Sequence, residues 1–245
     1  MRLKSIRDRE KDFFSNAIHS KVPFKTENID LYEMGNPQGD LVFLIHGWES
    51  NAGSLSKIAD ALNEKGKRIV AFNLPGHAFY KDDYTNLLVC KEAFETVLDH
   101  LKPTAYFSTI SHSFGSAVTA NALSNRSYPI RNMVFLTNPN QVEDIFQEFA
   151  EQVKMGKKAH KHLLEITQGM LGREISSLDV DKNLKQIPFR KLLLLHDEND
   201  KILPYSNSQK IAQNVDRVEL QTLKGKGHYR MLWDDEVVRS AVEFV

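Results

Sequence analysis

The chain reads as an α/β protein: one twisted, mostly parallel sheet with helices on both faces. Three observations lead there. Apolar runs at 41–45, 68–72, 106–110 and 192–195, with a fifth at 133–136, have the length and continuity of strands buried on both sides. Helix-compatible stretches at 53–64, 87–101 and 114–123 fall between them, and strand alternating with helix makes βαβ units. No internal repeat or low-complexity tract interrupts the alternation.

Taken in order, residues 1–20 carry Leu3, Ile6, Phe13, Phe14, Ala17 and Ile18 at near-helical spacing, which predicts a helical segment docked on the body of the protein. A homodimer contact could use the same apolar residues. Their mixed charge does not favour an anionic membrane surface. Residues 24–32 alternate apolar with polar and predict an antiparallel edge. After 136 the rhythm breaks. Between 139 and 187 the sequence is helix-like, with Ile145, Phe146, Phe149 and Val153 at three- and four-residue intervals and a second helical stretch at 159–170. The segment starts just after a strand and stops just before the next, so it reads as a small helical cap (139–187) inserted into a core of 21–138 and 188–245. A pair of ordinary packing helices would give the same pattern. Residues 218–223 and 236–245 predict the last strand and the last helix.

Composition narrows the function classes. Lys+Arg and Asp+Glu both number 32 in 245 residues, so formal neutrality gives no basic face for nucleic acid. The single cysteine, Cys90, excludes an internal disulfide and a thiolate zinc cluster, and its apolar setting predicts a buried, inert thiol. His160 and His162, two apart on a helical stretch, point to different faces and read as solvated side chains rather than metal ligands. No run approaches eighteen apolar residues, and the stretch from Met1 to Lys11 lacks an apolar h-region. The expectation is a cytoplasmic protein without stable membrane insertion.

The chemistry concentrates at strand ends. Ser111-His112-Ser113-Phe114-Gly115 follows the run at 106–110 and precedes a helical stretch, the pattern of a strained strand–turn–helix corner that exposes a serine hydroxyl. A plain strand followed by a serine-capped helix would share those five residues, so the partners decide. An activated serine needs a base, and the base needs a group that fixes its tautomer. His228, in Gly225-Lys226-Gly227-His228-Tyr229, follows the last strand in a glycine-containing loop that can turn the ring inward. After 192–195 comes a polar loop with three carboxylates, of which Asp200 is the first choice, Asp197 the reserve and Glu198 the third. His46-Gly47-Trp48 ends the run at 41–45, and the backbone N–H groups of Trp48 and Phe114 are the oxyanion-hole candidates.

With serine, acid and histidine in that chain order, the sequence resembles the α/β-hydrolase superfamily, in particular its capped, esterase- and lipase-like serine hydrolases. The resemblance runs from about Phe24 onward. It includes His46-Gly47-Trp48, Asn73-Leu74-Pro75-Gly76-His77-Ala78, the Ser113 corner, Asp200-Lys201-Ile202-Leu203-Pro204 and Gly227-His228. It implies the α/β-hydrolase fold and a Ser113–Asp200–His228 triad, with a small helical cap inserted after the sixth strand. Three positions depart from the family pattern: Ser111 and Ala78 where glycine is more usual, and Asn73 where Asp often stands.

The expected reaction is hydrolysis of a carboxylic ester of a small to medium, partly hydrophobic substrate, through an acyl-enzyme on Ser113, with no cofactor and no metal. Thioester hydrolysis, acyl transfer and carbon–carbon bond hydrolysis use the same triad. A haloalkane dehalogenase would need a carboxylate where Ser113 stands. A non-catalytic binding protein of the same fold is the rival from another class.

Overall fold

The computed structural model describes residues 6–80 and 84–245. Its eight strands are β1 (Ile18–Phe24), β2 (Glu27–Gly35), β3 (Leu41–Ile45), β4 (Arg68–Phe72), β5 (Phe107–His112), β6 (Ile130–Leu136), β7 (Lys191–Asp197) and β8 (Val218–Leu223). They form one sheet in the order β1-β2-β4-β3-β5-β6-β7-β8. The pairs from β4 through β3 to β8 are parallel, and β1 and β2 add an antiparallel edge.

The continuous apolar runs are explained by cover on both faces. Within β3, Phe43 and Ile45 pack into one core, with α3 (Leu87–Leu101) and α4 (Phe114–Leu123). Val42 and Leu44 face the other, with α2 (Ser56–Glu64) and α9 (Asp235–Phe244). A period of two therefore persists, with both positions apolar. The ends of α3 are written in side chains. Asn86 Oδ1 accepts the Leu88 and Val89 N–H groups at 2.9 and 3.1 Å, and Lys102 closes the helix in the left-handed region at φ 45°.

The antiparallel edge expected at 24–32 is present, as part of a hairpin that starts at Ile18 and reverses at Lys25 (φ 52°), a turn that no glycine or asparagine announces. Two expectations are corrected. The N-terminal helix, α1, is confined to Asp8–Asn16. Phe13 is buried and Phe14 packs edge-on against Tyr32, whereas Ile18 opens β1 and is 72% exposed. Leu3 lies outside the described residues. Finally, β5 extends two residues beyond its apolar run, because Ser111 and His112 are polar yet buried.

Between β6 and β7 the chain forms α5 (Val142–Gln152), α6 (Lys157–Leu171) and the short α7 (Val180–Leu184). α8 (Ser206–Asn214) joins β7 to β8. Among the described residues no helix is long and apolar enough to cross a membrane.

Candidate active site

One residue separates β5 from α4. Ser113 makes the reversal at φ 53°, ψ −122°, a backbone state that costs a non-glycine residue about 1–3 kcal/mol. Its N–H donates to the Leu136 and Thr137 carbonyls at 3.1 and 3.2 Å, which pins the corner to the end of β6. Gly115 is required by close approach: a Cβ there would lie 2.5 Å from the carbonyl oxygens of Ile45 and His46. Ser111 is fully buried, its hydroxyl 2.7 Å from Thr119 Oγ1, so it closes the corner from within and does not reach the surface.

The structure brings Ser113, His228 and Asp200 together. Ser113 Oγ lies 3.1 Å from His228 Nε2, and His228 Nδ1 lies 2.8 Å from Asp200 Oδ2. A carboxylate only accepts, so Nδ1 carries the proton and Nε2 is left to accept from the serine. The Asp200 side chain is wholly buried. It also accepts from Thr137 Oγ1 at 3.0 Å and from the Ile202 and Leu203 N–H groups at 2.7 and 3.2 Å. Burial opposes its charge, but the bonds from His228 and the two amides prevail and bring its pKa down to about 2.

The reserve acid has a different task. Asp197 accepts the Gly227 N–H at 2.7 Å and the Lys226 N–H with one oxygen, and the Asn199 N–H at 2.8 Å with the other. It thereby anchors the loop that presents His228. Burial opposes its charge, but these donors lower its pKa. Glu198 is an outer-loop acid 3.4 Å from Lys224.

Two histidines brace the site. His112 is buried, and Nε2–H donates to the His228 carbonyl at 2.9 Å. Its Nδ1 has no protein partner among the described residues and faces Gly47, where a Cβ would come within 2.8 Å. His46 donates from Nδ1 to the Gly47 carbonyl at 2.8 Å and accepts the Leu74 N–H at Nε2, 2.9 Å. Burial takes each to a pKa of about 3, so both are neutral.

Gly47 sits against Ser113, 3.1 Å from its Cβ by the same measure, and so sets the Trp48 backbone beside the corner. Phe114 begins α4, so its N–H has no acceptor within the helix. The Trp48 ring packs edge-on against Phe114 and His77, with centroids 5.1 and 5.0 Å apart. Asn73 uses its side-chain oxygen to accept the Ala52 N–H at 2.9 Å. Ala78 stands at φ 47°, in the left-handed region that a glycine occupies freely.

Beside Trp48 and Phe114 opens an apolar cavity of about 560 Å³, walled by α4, the start of α3 and the helices between β6 and β7. A more polar cleft of about 590 Å³ lies away from the triad, between α1 and the β1–β2 hairpin. Cys90 is buried, which raises its pKa to about 12. His162 is exposed on α6 and His160 half-buried. Among the described residues no group of three or more His, Cys, Asp or Glu side chains is arranged to hold a metal ion.

Sequence reasoning missed Thr137. It is β-branched at φ 52°, a rare conformation. Its carbonyl takes the Ser113 N–H while its hydroxyl holds Asp200. The only signal was its position directly after β6.

Strand order, the corner after β5 and the loops after β7 and β8 define the class of protein. A family model described as the alpha/beta hydrolase fold matches residues 40–158, just under half of the chain, and the chain has that fold. Similar solved structures include an esterase from Pyrococcus furiosus (TM-score 0.73, 16% identity, 100% of this chain and 95% of that one). An esterase from Exiguobacterium antarcticum aligns at TM-score 0.70 and 15% identity, over 93% of this chain and 99% of that one. A bromoperoxidase from Bacillus anthracis aligns at 0.70 and 17%, with the same coverage. At such identities the likeness is one of fold. A serine hydrolase-like protein of Dictyostelium discoideum is 29% identical over 96 residues, 38% of this chain, and the match spans about a quarter (26%) of that relative's length.

Proposed function

We propose that the protein is a serine hydrolase that cleaves carboxylic esters through an acyl-enzyme on Ser113. The observation that carries this reading is the unbroken relay Ser113 Oγ–His228–Asp200, at 3.1 and 2.8 Å, ending in a buried carboxylate. His228 takes the hydroxyl proton as Oγ attacks the carbonyl carbon, and Asp200 stabilises the imidazolium. The Trp48 and Phe114 N–H groups receive the oxyanion, each worth about 3–4 kcal/mol of barrier. His228 then gives its proton to the departing alcohol, and a water activated by the same histidine frees the acid. The helices of 139–187 act as a cap that shapes the acyl site.

The esterases among the structural relatives favour an ester over the thioester, acyl-transfer and carbon–carbon alternatives that share this triad. A purely binding protein has no need of a carboxylate held by four donors behind a histidine. Hydrolysis of p-nitrophenyl butyrate should be readily measured for the wild type. It should fall at least about a thousandfold in Ser113→Ala and in His228→Ala. Equal turnover by Ser113→Ala would overturn the assignment.

A further inference from the structure

The apolar cavity lies on one side of the reacting serine, and that side identifies its occupant. Every residue lining it falls between Trp48 and Val180. Neither the loop carrying Asp200 nor the loop carrying His228 contributes to it. In the proposed reaction the histidine must reach the leaving oxygen to protonate it, so the alcohol belongs on the His228 side. The side chains of Trp48 and Phe114, whose amides face the oxyanion, form the near end of the cavity, which therefore begins at the carbonyl carbon and receives the acyl group.

The lining fixes the chemistry of that group. Among the described residues it has no charged side chain, and its polar members are Asn86, Asn140 and Thr167. Asn86 caps α3, Thr167 donates to the Leu163 carbonyl at 2.8 Å, and Asn140 accepts the Asp181 N–H at 3.1 Å through Oδ1, leaving its buried Nδ2 as the one donor of the three without a partner among the described residues. A carboxylated or sugar-like acyl group would find no charged partner there. At roughly 30 Å³ per heavy-atom-sized unit, about ten carbons occupy a little over half of the 560 Å³. The rim continues the apolar surface: Met170 is 85% exposed and Ile145 is 45% exposed.

Resting on the serine-hydrolase reading, we infer that the substrate is an ester of an unbranched, uncharged, medium-chain fatty acid. The chain lies between α4 and the helices α5 and α6, and the alcohol leaves past His228. Each methylene that enters should raise kcat/KM by up to about fourfold.

The test compares one chain on either side of the ester. Wild-type kcat/KM on p-nitrophenyl esters should climb from two carbons to an optimum at about eight to twelve, consistent with the cavity volume. Methyl octanoate should exceed octyl acetate by at least about tenfold. Ala117→Phe, on the α4 wall, and Leu171→Trp, on the α6 wall, should move the optimum to shorter chains, lowering the decanoate-to-acetate ratio of kcat/KM at least about tenfold. A flat series with acetate turned over, or a preference for octyl acetate, overturns the inference and leaves the hydrolase reading standing. A separate arm does not depend on turnover: 1-decanol should raise the Tm of Ser113→Ala, and adding Leu171→Trp should abolish that rise. Absence of decanol binding contradicts the inference even where no ester is cleaved.

Discussion

The loops at the ends of β5, β7 and β8 and the helices between β6 and β7 are built on opposite rules. At the strand ends nearly every polar atom is committed. Asp200 is held by four donors and Asp197 by three, with both carboxylates drawn from the short stretch between Leu195 and Asp200. The helix α6, by contrast, buries no residue, and its Met170 stands in solvent. A reaction geometry that must hold to a fraction of an ångström is carried by a bonded network on rigid strands. Recognition of a hydrocarbon chain needs only apolar surface, which a loosely packed pair of helices supplies and can vary without touching the chemistry.

The comparison can be broken most severely within the network. Asp200→Asn should lower kcat by about four orders of magnitude with little change in KM, because the amide favours the wrong tautomer of His228. Asp197→Asn should cost far less, on the order of tenfold, together with a lower Tm, because it loosens the His228 loop without touching the ring. The reverse ranking in steady-state kinetics would show that the two acids have been given each other's roles.

Acid stability gives the next largest effect. His46 and His112 are neutral in the folded protein, with pKa values of about 3, against an ordinary value of about 6.5. Between those values the unfolded chain binds more protons than the folded one, so stability falls as pH drops below about 6.5. Each histidine contributes about 1.4 kcal/mol per pH unit. Asp200, lowered to about 2, adds its loss only below about pH 4, in the same direction. Urea unfolding between pH 6.5 and 4.5 should show this slope. His112→Gln, which keeps an N–H for the His228 carbonyl, should remove one histidine's share. An unchanged slope would mean that His112 is not held neutral.

The smallest effect concerns the turn beside the oxyanion segment. Ala78→Gly should relieve the φ of 47° and raise stability by about 1 kcal/mol, or roughly 2–4 °C in Tm. A loss of stability would place the strain elsewhere.

These contrasts also explain what could be read from the sequence. Strands buried on both faces and the helices between them declared themselves: α3 and α4 span the stretches 87–101 and 114–123 expected of them. Ser113, Asp200 and His228 were legible because each follows a strand and the chemistry demands their residue types. Thr137 was not, since half of its contribution is a backbone carbonyl and the rest depends on a left-handed φ. Asp197 resembled a spare acid, because an anchor for a loop 30 residues away leaves no local pattern. The hairpin at Lys25 escaped for the same reason, a positive φ on a residue that does not advertise it. The apolar cavity was not legible, because its walls come from α3, α4 and the helices between β6 and β7, far apart in sequence.

The most direct measurement is reaction with a fluorophosphonate, read by intact mass and peptide mapping under native conditions. The account predicts one adduct per chain, on Ser113. It also predicts loss of labelling in Ser113→Ala, strong slowing in His228→Ala, and near-normal labelling in Leu171→Trp. An unmodified Ser113, or an adduct on another residue that persists in Ser113→Ala, would contradict it.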